Sequence, residues 1–219
     1  MSLTLVIGNK NYSSWSLRPW LAMKMAGVEF DEIRIPLDQP QTRTDILKYS
    51  PSGRVPCLID RRPDGDLTVW DSLAICEYVN EAHGSGKLWP ADQAARARAR
   101  ALAAEMHSGF GAVRLHLPMD IRASLPGRGA GSLALAEVAE QVGRIESIWS
   151  ESLARSGGPF LFGAFSIADA FYAPVVTRFH SYALPLPPAL SAYSKQVLAT
   201  APMQQWIAAA HDEAEVIEQ

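Results

Sequence analysis

Cysteine is scarce in this chain: Cys57 and Cys76 are the only two among 219 residues, they lie far apart in apolar segments, and they form no Cys-x-x-Cys pair. That excludes a dithiol redox motif and predicts two buried free thiols. The five histidines, at positions 83, 107, 116, 180 and 211, lack the close spacing that puts two ligands on one helix face, so no metal is expected. No run of about 20 apolar residues is present, which argues against a helical membrane span. The opening Met1-Ser2-Leu3-Thr4-Leu5-Val6-Ile7-Gly8 has no basic leader and no long apolar stretch before a cleavage site. No signal peptide is expected, and the cytoplasm is the expected compartment. A formal charge of -3 leaves no positive excess to hold nucleic acid. Arg96, Arg98 and Arg100 make one local basic run, but alternate positions diverge around a helix, so they read as a solvated face.

What is present is a 48% hydrophobic, 20% charged composition, that of a globular protein. The length suits two compact units of roughly 80 and 125 residues. Leu3 to Ile7 is a short apolar run ending at Gly8, a strand buried on both faces. Apolar residues at Leu17, Trp20, Leu21 and Met25 then keep helical spacing, with the start near Ser14 to Ser16, and Pro19 is expected only within the first turn. Ile33, Ile35 and Leu37 alternate as in a second strand. A helical turn at Thr44 to Tyr49 precedes the runs Cys57 to Ile59 and Leu67 to Trp70, which flank a Pro63-Asp64-Gly65-Asp66 turn and predict a hairpin. Asp71-Ser72 opens an apolar helix ending near Gly84.

Beyond Asp92 only helical patterns occur, so residues 84–91, with Gly84, Gly86 and Pro90, read as a linker between an α/β unit (1–83) and an all-α unit (92–219). Leu102, Met106, Phe110, Val113 and Leu117 predict one long amphipathic helix, and Leu135, Val138, Val142, Ile145 and Trp149 a second, antiparallel to it. Pro118 to Gly131 reads as a loop. Ser166-Ile167-Ala168-Asp169 is a capping box that starts another helix, and shorter helices follow near Ser191 and Pro202.

The element order strand, helix, strand, helix, strand, strand, helix is thioredoxin-like. It puts Tyr12-Ser13-Ser14-Trp15-Ser16 at the N-terminus of the first helix, where unpaired N–H groups and the helix dipole favour an anion. A redox member of this fold needs cysteine there, and this chain offers hydroxyls. A hydroxyl suits a thiolate brought by a ligand, since a hydrogen bond to a charged acceptor contributes roughly 1.5 to 3 kcal/mol. Alternatively, the serines simply cap the helix.

Ser13-Ser14-x-Ser16-x-Arg18 resembles the Ser-Ser-x-Ser-x-Arg signature of zeta-class glutathione transferases. Arg54-Val55-Pro56-Cys57-Leu58 resembles that family's Val-Pro-x-Leu segment, Asp71-Ser72-Leu73-Ala74-Ile75 its Glu/Gln-Ser-x-x-Ile motif, and Phe165-Ser166-Ile167-Ala168-Asp169 the cap of its sixth helix. The resemblance covers nearly the whole chain. It implies a cytosolic glutathione transferase fold, glutathione as co-substrate without a metal, a small electrophile as second substrate and a homodimer. Ser13 or Ser14 would face the glutathione sulfur, with Tyr12 as the rival donor. Val55, before a cis Pro56, would pair with the cysteinyl part, Asp71 and Ser72 would hold the γ-glutamyl end, and Arg54 would meet a carboxylate or stay solvated.

The second substrate would lie against the helical unit, where Met106, His107, Phe110, Tyr172 and Arg178 are candidates together with Tyr12 and Arg18, the latter as an active-site group or an ion-pair partner. Two departures stand out. Trp15 occupies the position of the zeta-class cysteine, which weighs against isomerisation of maleylacetoacetate and for conjugation, and Asp71 is one methylene shorter than the usual acid. A transferase-fold interaction module without catalysis is the third reading.

Overall fold

In the computed structural model, which describes residues 2–218, a four-stranded sheet is followed by helices. Strand β1 (Ser2–Ile7) is central and almost wholly buried because its residues are apolar on both faces. It pairs in parallel with β2 (Asp31–Arg34), Val6 opposite Ile33, and antiparallel with β3 (Cys57–Arg61), Thr4 opposite Ile59. Strand β4 (Leu67–Val69) completes the hairpin, giving the order β2-β1-β3-β4. The second strand thus lies earlier than the alternation of Ile33, Ile35 and Leu37 suggests. Pairing with β1 ends at Ile7, and the chain beyond Ile35 turns away to Leu37, whose N–H is held by Asn9.

Helix α1 (Ser14–Met25) starts where expected but contains Pro19 beyond its first turn. An interior proline costs about 3 kcal/mol or more. Complete burial of Leu17, Trp20 and Leu21, packed against α3 and α8 below, offsets that cost. Helices α2 (Thr42–Leu47) and α3 (Ser72–Ala82) complete the first unit.

The predicted helix through Leu102 and Leu117 is two helices, α4 (Gln93–Ser108) and α5 (Gly111–His116). Between them Phe110 is left-handed, at φ 60°, and a side chain on Gly109 would come within 2.9 Å of the Glu105 carbonyl oxygen. Apolar spacing continues across this break, so periodicity alone does not reveal it. Part of the predicted 118–131 loop is helical as well: Pro126 occupies the first turn of α6 (Pro126–Leu133), a position where its missing N–H costs nothing.

Helix α7 (Ala136–Ser156) runs antiparallel to α4, as the ion pairs Arg98 to Glu151 and Arg144 to Glu105 show. Helix α8 (Ile167–Ser181) is buried along nearly its whole length between α1 and α4, and α9 (Pro188–Leu198) and α10 (Ala201–His211) close the fold. After α3 the only strand-like pairing among the described residues is two isolated bridges near Phe160 to Ala164. No helix among them is long and apolar enough to cross a membrane.

Strand β3 carries a buried carboxylate, Asp60, whose Oδ2 accepts from Arg62 at 3.1 Å and from the Tyr78 hydroxyl and lies 3.3 Å from His83 Nε2. Burial alone would raise its pKa, but the bonds from Tyr78, Arg62 and His83 outweigh burial and hold it below its ordinary value. A depressed folded pKa adds stability that is present above the unfolded value of about 3.9 and is lost as pH falls through the folded value. Asp60→Asn should therefore be less stable than wild type in urea at neutral pH, with the gap closing as pH falls from about 5 toward 3. A gap independent of pH would remove the Asp60 charge as its cause.

Candidate functional site

A cavity of about 560 Å³ opens between the sheet unit and the helices. Its floor is Ser52, Arg54, Val55 and Pro56, from the segment entering β3, with a cis Val55–Pro56 bond. One wall is Trp70, Asp71 and Ser72 at the start of α3, and the opposite side is Trp15 of α1 and His107 of α4. The helix start explains the wall. Asp71 is the N-cap of α3, its Oδ1 accepting from the N–H groups of Leu73 at 3.0 Å and Ala74 at 3.4 Å, which points the first turn of α3 at the cavity.

Ser72 is 1% exposed and its Oγ has no hydrogen-bond partner in the protein, although it lines the cavity. A buried hydroxyl without a partner costs about 1 to 3 kcal/mol, so a polar ligand group satisfying it gains that much. The other Asp71 oxygen lies 3.0 Å from His107 Nε2. Burial lowers the His107 pKa, and although Asp71 opposes this, Arg18 and Arg114 add to the lowering, so it stays below its ordinary value.

The hydroxyls at the start of α1 differ in what they have left to give. Ser13 is the N-cap: its Oγ accepts from the Ser16 N–H at 3.4 Å and its proton goes to Ser16 Oγ at 2.7 Å, which in turn accepts from the Gly8 N–H. Tyr12 points the other way, its oxygen accepting from Arg122 at 3.0 Å and from the Ile217 N–H at 3.2 Å. Ser14 accepts from Arg178 at 3.4 Å, which leaves its own proton uncommitted. The loop before these serines is braced by the end of the chain: Glu213 accepts from the N–H groups of Lys10 at 2.6 Å and Asn11 at 3.0 Å, and Arg122 donates to the carbonyls of Glu213 and Glu215.

Comparison with known proteins bears on the family and the fold. The model of the glutathione S-transferase N-terminal domain matches residues 12–82, and that of the C-terminal domain matches residues 93–196. The chain belongs to the glutathione S-transferase family. Two curated relatives are a stringent starvation protein A homolog of Histophilus somni, 25% identical over 142 residues, and a protein of Caenorhabditis elegans named probable maleylacetoacetate isomerase, 32% identical over 97 residues. These matches take in 65% and 44% of this chain but only 60% and 42% of the relatives' own lengths. Among solved structures, a Burkholderia glutathione transferase homolog with bound glutathione superposes with a TM-score of 0.71 at 23% identity, covering 97% of this chain and all of that one. At that identity the likeness speaks for the fold.

In this member of the family, Arg54, Val55, Pro56, Asp71 and Ser72 all line one cavity. Of the second-substrate candidates, only His107 does. Met106, Phe110 and Tyr172 are buried in the core, Met106 and Phe110 among the apolar cluster and Tyr172 edge-on to Trp149 with its hydroxyl near the Leu102 carbonyl. They face inward because α4 and α8 pack on each other there. Arg18 and Arg178 are buried beside the cavity rather than in its lining. Sequence reasoning missed Trp15 and Trp70 as lining residues, though each directly adjoins a recognised motif. Arg114, on a short helix that carries no motif, stacks on Trp15 from outside that lining. No group of three metal-ligating side chains is present among the described residues.

Proposed function

We propose that this chain is a glutathione transferase that binds the tripeptide across Arg54, Val55, Asp71 and Ser72 and ionises its thiol at Ser14 for attack on a small electrophile. The observation that carries the reading is the unpartnered Ser72 hydroxyl at a helix start lining the cavity, where the hydroxyl and the helix dipole suit the γ-glutamyl carboxylate. Positioning and thiolate stabilisation are then the main catalytic effects. Ser13, the other hydroxyl of the motif, acts in this reading through the helix it caps. A cytoplasmic homodimer, with the electrophile as its other partner, belongs to the same proposal.

Glutathione-dependent isomerisation is the second reading. It is favoured by the serine motif and by the C. elegans relative's name, and Trp15 at the cysteine position of the zeta pattern weighs against it.

Retention on immobilised glutathione, followed by conjugation of an aryl chloride, tests the first reading. Ser72→Ala should raise the KM for glutathione about tenfold, and should change KM more than kcat, because the contact is remote from the sulfur and persists through the reaction. Failure to bind glutathione at millimolar concentration would leave the non-catalytic interaction module instead.

A further inference from the structure

Asp71 engages its own helix with one oxygen and leaves the other to a residue of the helical unit. Oδ1 accepts from the N–H groups of Leu73 at 3.0 Å and Ala74 at 3.4 Å, which completes its capping of α3. Oδ2 meets one group among the described residues, His107 Nε2 of α4, at 3.0 Å. Both residues line the cavity.

The histidine ring is fixed by its neighbours, edge-on to Trp15 at 5.2 Å between centroids and tilted against Phe171 at 6.1 Å. Its Nδ1 is buried and has no hydrogen-bond partner in the protein. A proton on Nδ1 would therefore go unpaired, which is costly, whereas one on Nε2 lies beside a carboxylate. Burial, together with Arg18 and Arg114, resists a second proton against the pull of Asp71. His107 thus faces Asp71 as an N–H dipole rather than as a cation.

That difference decides what Asp71 can do. A lysine or arginine at this distance would neutralise the carboxylate, while an uncharged imidazole orients it and leaves its charge in place. Arg18 feels the Asp71 charge but makes no ion pair with it among the described residues. An exposed acid without a cationic partner therefore lines the cavity beside Ser72. In the transferase reading Ser72 takes the γ-glutamyl carboxylate. The ammonium group of glutathione is borne on the same carbon as that carboxylate, so it arrives next to Asp71.

Resting on the transferase reading, we propose that His107 is a positioning residue for glutathione: it holds the Asp71 carboxylate at the cavity with its charge intact, and Asp71 Oδ2 takes the ammonium group of the γ-glutamyl end. The enzyme thereby selects thiols that carry this group. A histidine that merely latched the two units together would make no such selection.

Glutaryl-cysteinylglycine provides the test, since it keeps both carboxylates and the thiol of glutathione and lacks only the ammonium group. Conjugation of a chlorodinitrobenzene is measured with each thiol. Wild type should favour glutathione at least about tenfold in kcat/KM, mostly through KM. His107→Phe keeps an aromatic ring between Trp15 and Phe171 and removes both nitrogens. It should raise the KM for glutathione about tenfold and that for the analogue by less than about twofold, so that most of the preference disappears. His107→Gln, whose amide N–H stands near the place of Nε2, should restore most of it. His107→Asn, whose amide stands near Nδ1 instead, should not. Asp71→Asn keeps a good capping residue and should lose the same preference, and adding His107→Phe to it should remove no more.

Equal use of the two thiols by wild type, a preference that survives His107→Phe and His107→Asn, or losses at His107 and Asp71 that simply add would overturn the proposal. So would an equal weakening of both thiols with a lower Tm, the mark of a latch. Conjugation of glutathione without preference over the analogue leaves the transferase reading standing, whereas failure to bind or conjugate either thiol removes both.

Discussion

Ser14→Ala is expected to lower turnover about ten- to a hundredfold, since the lost hydroxyl bond favours the thiolate over the neutral thiol by roughly 1.5 to 3 kcal/mol. Ser14 is the hydroxyl at the start of α1 that receives a bond from Arg178 while keeping its own proton to give. Ser13→Ala should act differently. Its hydroxyl caps α1 and donates to Ser16, so its loss should cost about 0.5 to 2 kcal/mol of stability. Tyr12→Phe should disturb the braced loop, because the Tyr12 oxygen faces Arg122 and the chain terminus.

The pH profile separates these roles. Removing the thiolate donor raises the pKa of bound glutathione, so Ser14→Ala should regain part of its deficit at alkaline pH, where the thiol, ordinarily near 8.5, ionises unaided. A variant that has merely lost a cap shows the same fractional activity at every pH. If Ser13→Ala shows the alkaline recovery and Ser14→Ala keeps the wild-type profile, the donor is Ser13. If neither profile moves, the helix N-terminus and Arg178 stabilise the thiolate without a hydroxyl.

The largest stability effect should come from Asp169→Ala. This carboxylate is completely buried and accepts four bonds: from the N–H groups of Leu161 at 3.0 Å and Ser166 at 2.9 Å, from the Ser166 hydroxyl at 3.0 Å and from the Tyr193 hydroxyl at 3.2 Å. Burial lifts its pKa to about 6 against the pull of these donors. Truncation leaves several buried donors without an acceptor, each costing about 1 to 3 kcal/mol, so a loss of at least about 3 kcal/mol is expected. For a chain of this size that lowers Tm by roughly 10 °C. Ser166→Ala, which removes only the cap hydroxyl, should lose less, about 0.5 to 2 kcal/mol.

Whatever Asp169→Ala folds should bind glutathione with near wild-type affinity, since Asp169 lies at the start of α8 and outside the cavity lining. A variant with wild-type Tm and weakened glutathione binding would place Asp169 in the site and refute its structural role.

Local chemistry is what could be read along the chain. The apolar run of β1, the hairpin around Pro63 to Asp66, the Asp71 cap and the Ser166 to Asp169 box each depend on residues a few positions apart, and each appears in the structure close to where the residues place it. Where reading failed, a longer-range term won. The break between α4 and α5 interrupts a stripe whose apolar spacing is unbroken, and only the left-handed Phe110 reveals it. Pro19 is tolerated within α1 because the helix is buried on several sides, something its own sequence cannot report.

The sequence by itself determined the element order of the sheet unit, the starts of α1, α3 and α8 and the motif residues Arg54, Val55, Pro56, Asp71 and Ser72 that line one cavity, because capping, turn chemistry and hydrophobic period act over a turn or two of chain. Only the tertiary structure decided which hydroxyl is free and where the positive charge accumulates. Tyr12 is engaged by Ile217, 205 residues away, and Ser14 by Arg178, 164 residues away. Arg18, Arg114 and Arg178 come from three separate helices and meet around one tryptophan and one serine. Such juxtapositions follow from how α1, α5 and α8 pack, and packing is set by the shape of the whole buried surface rather than by any local pattern of residues.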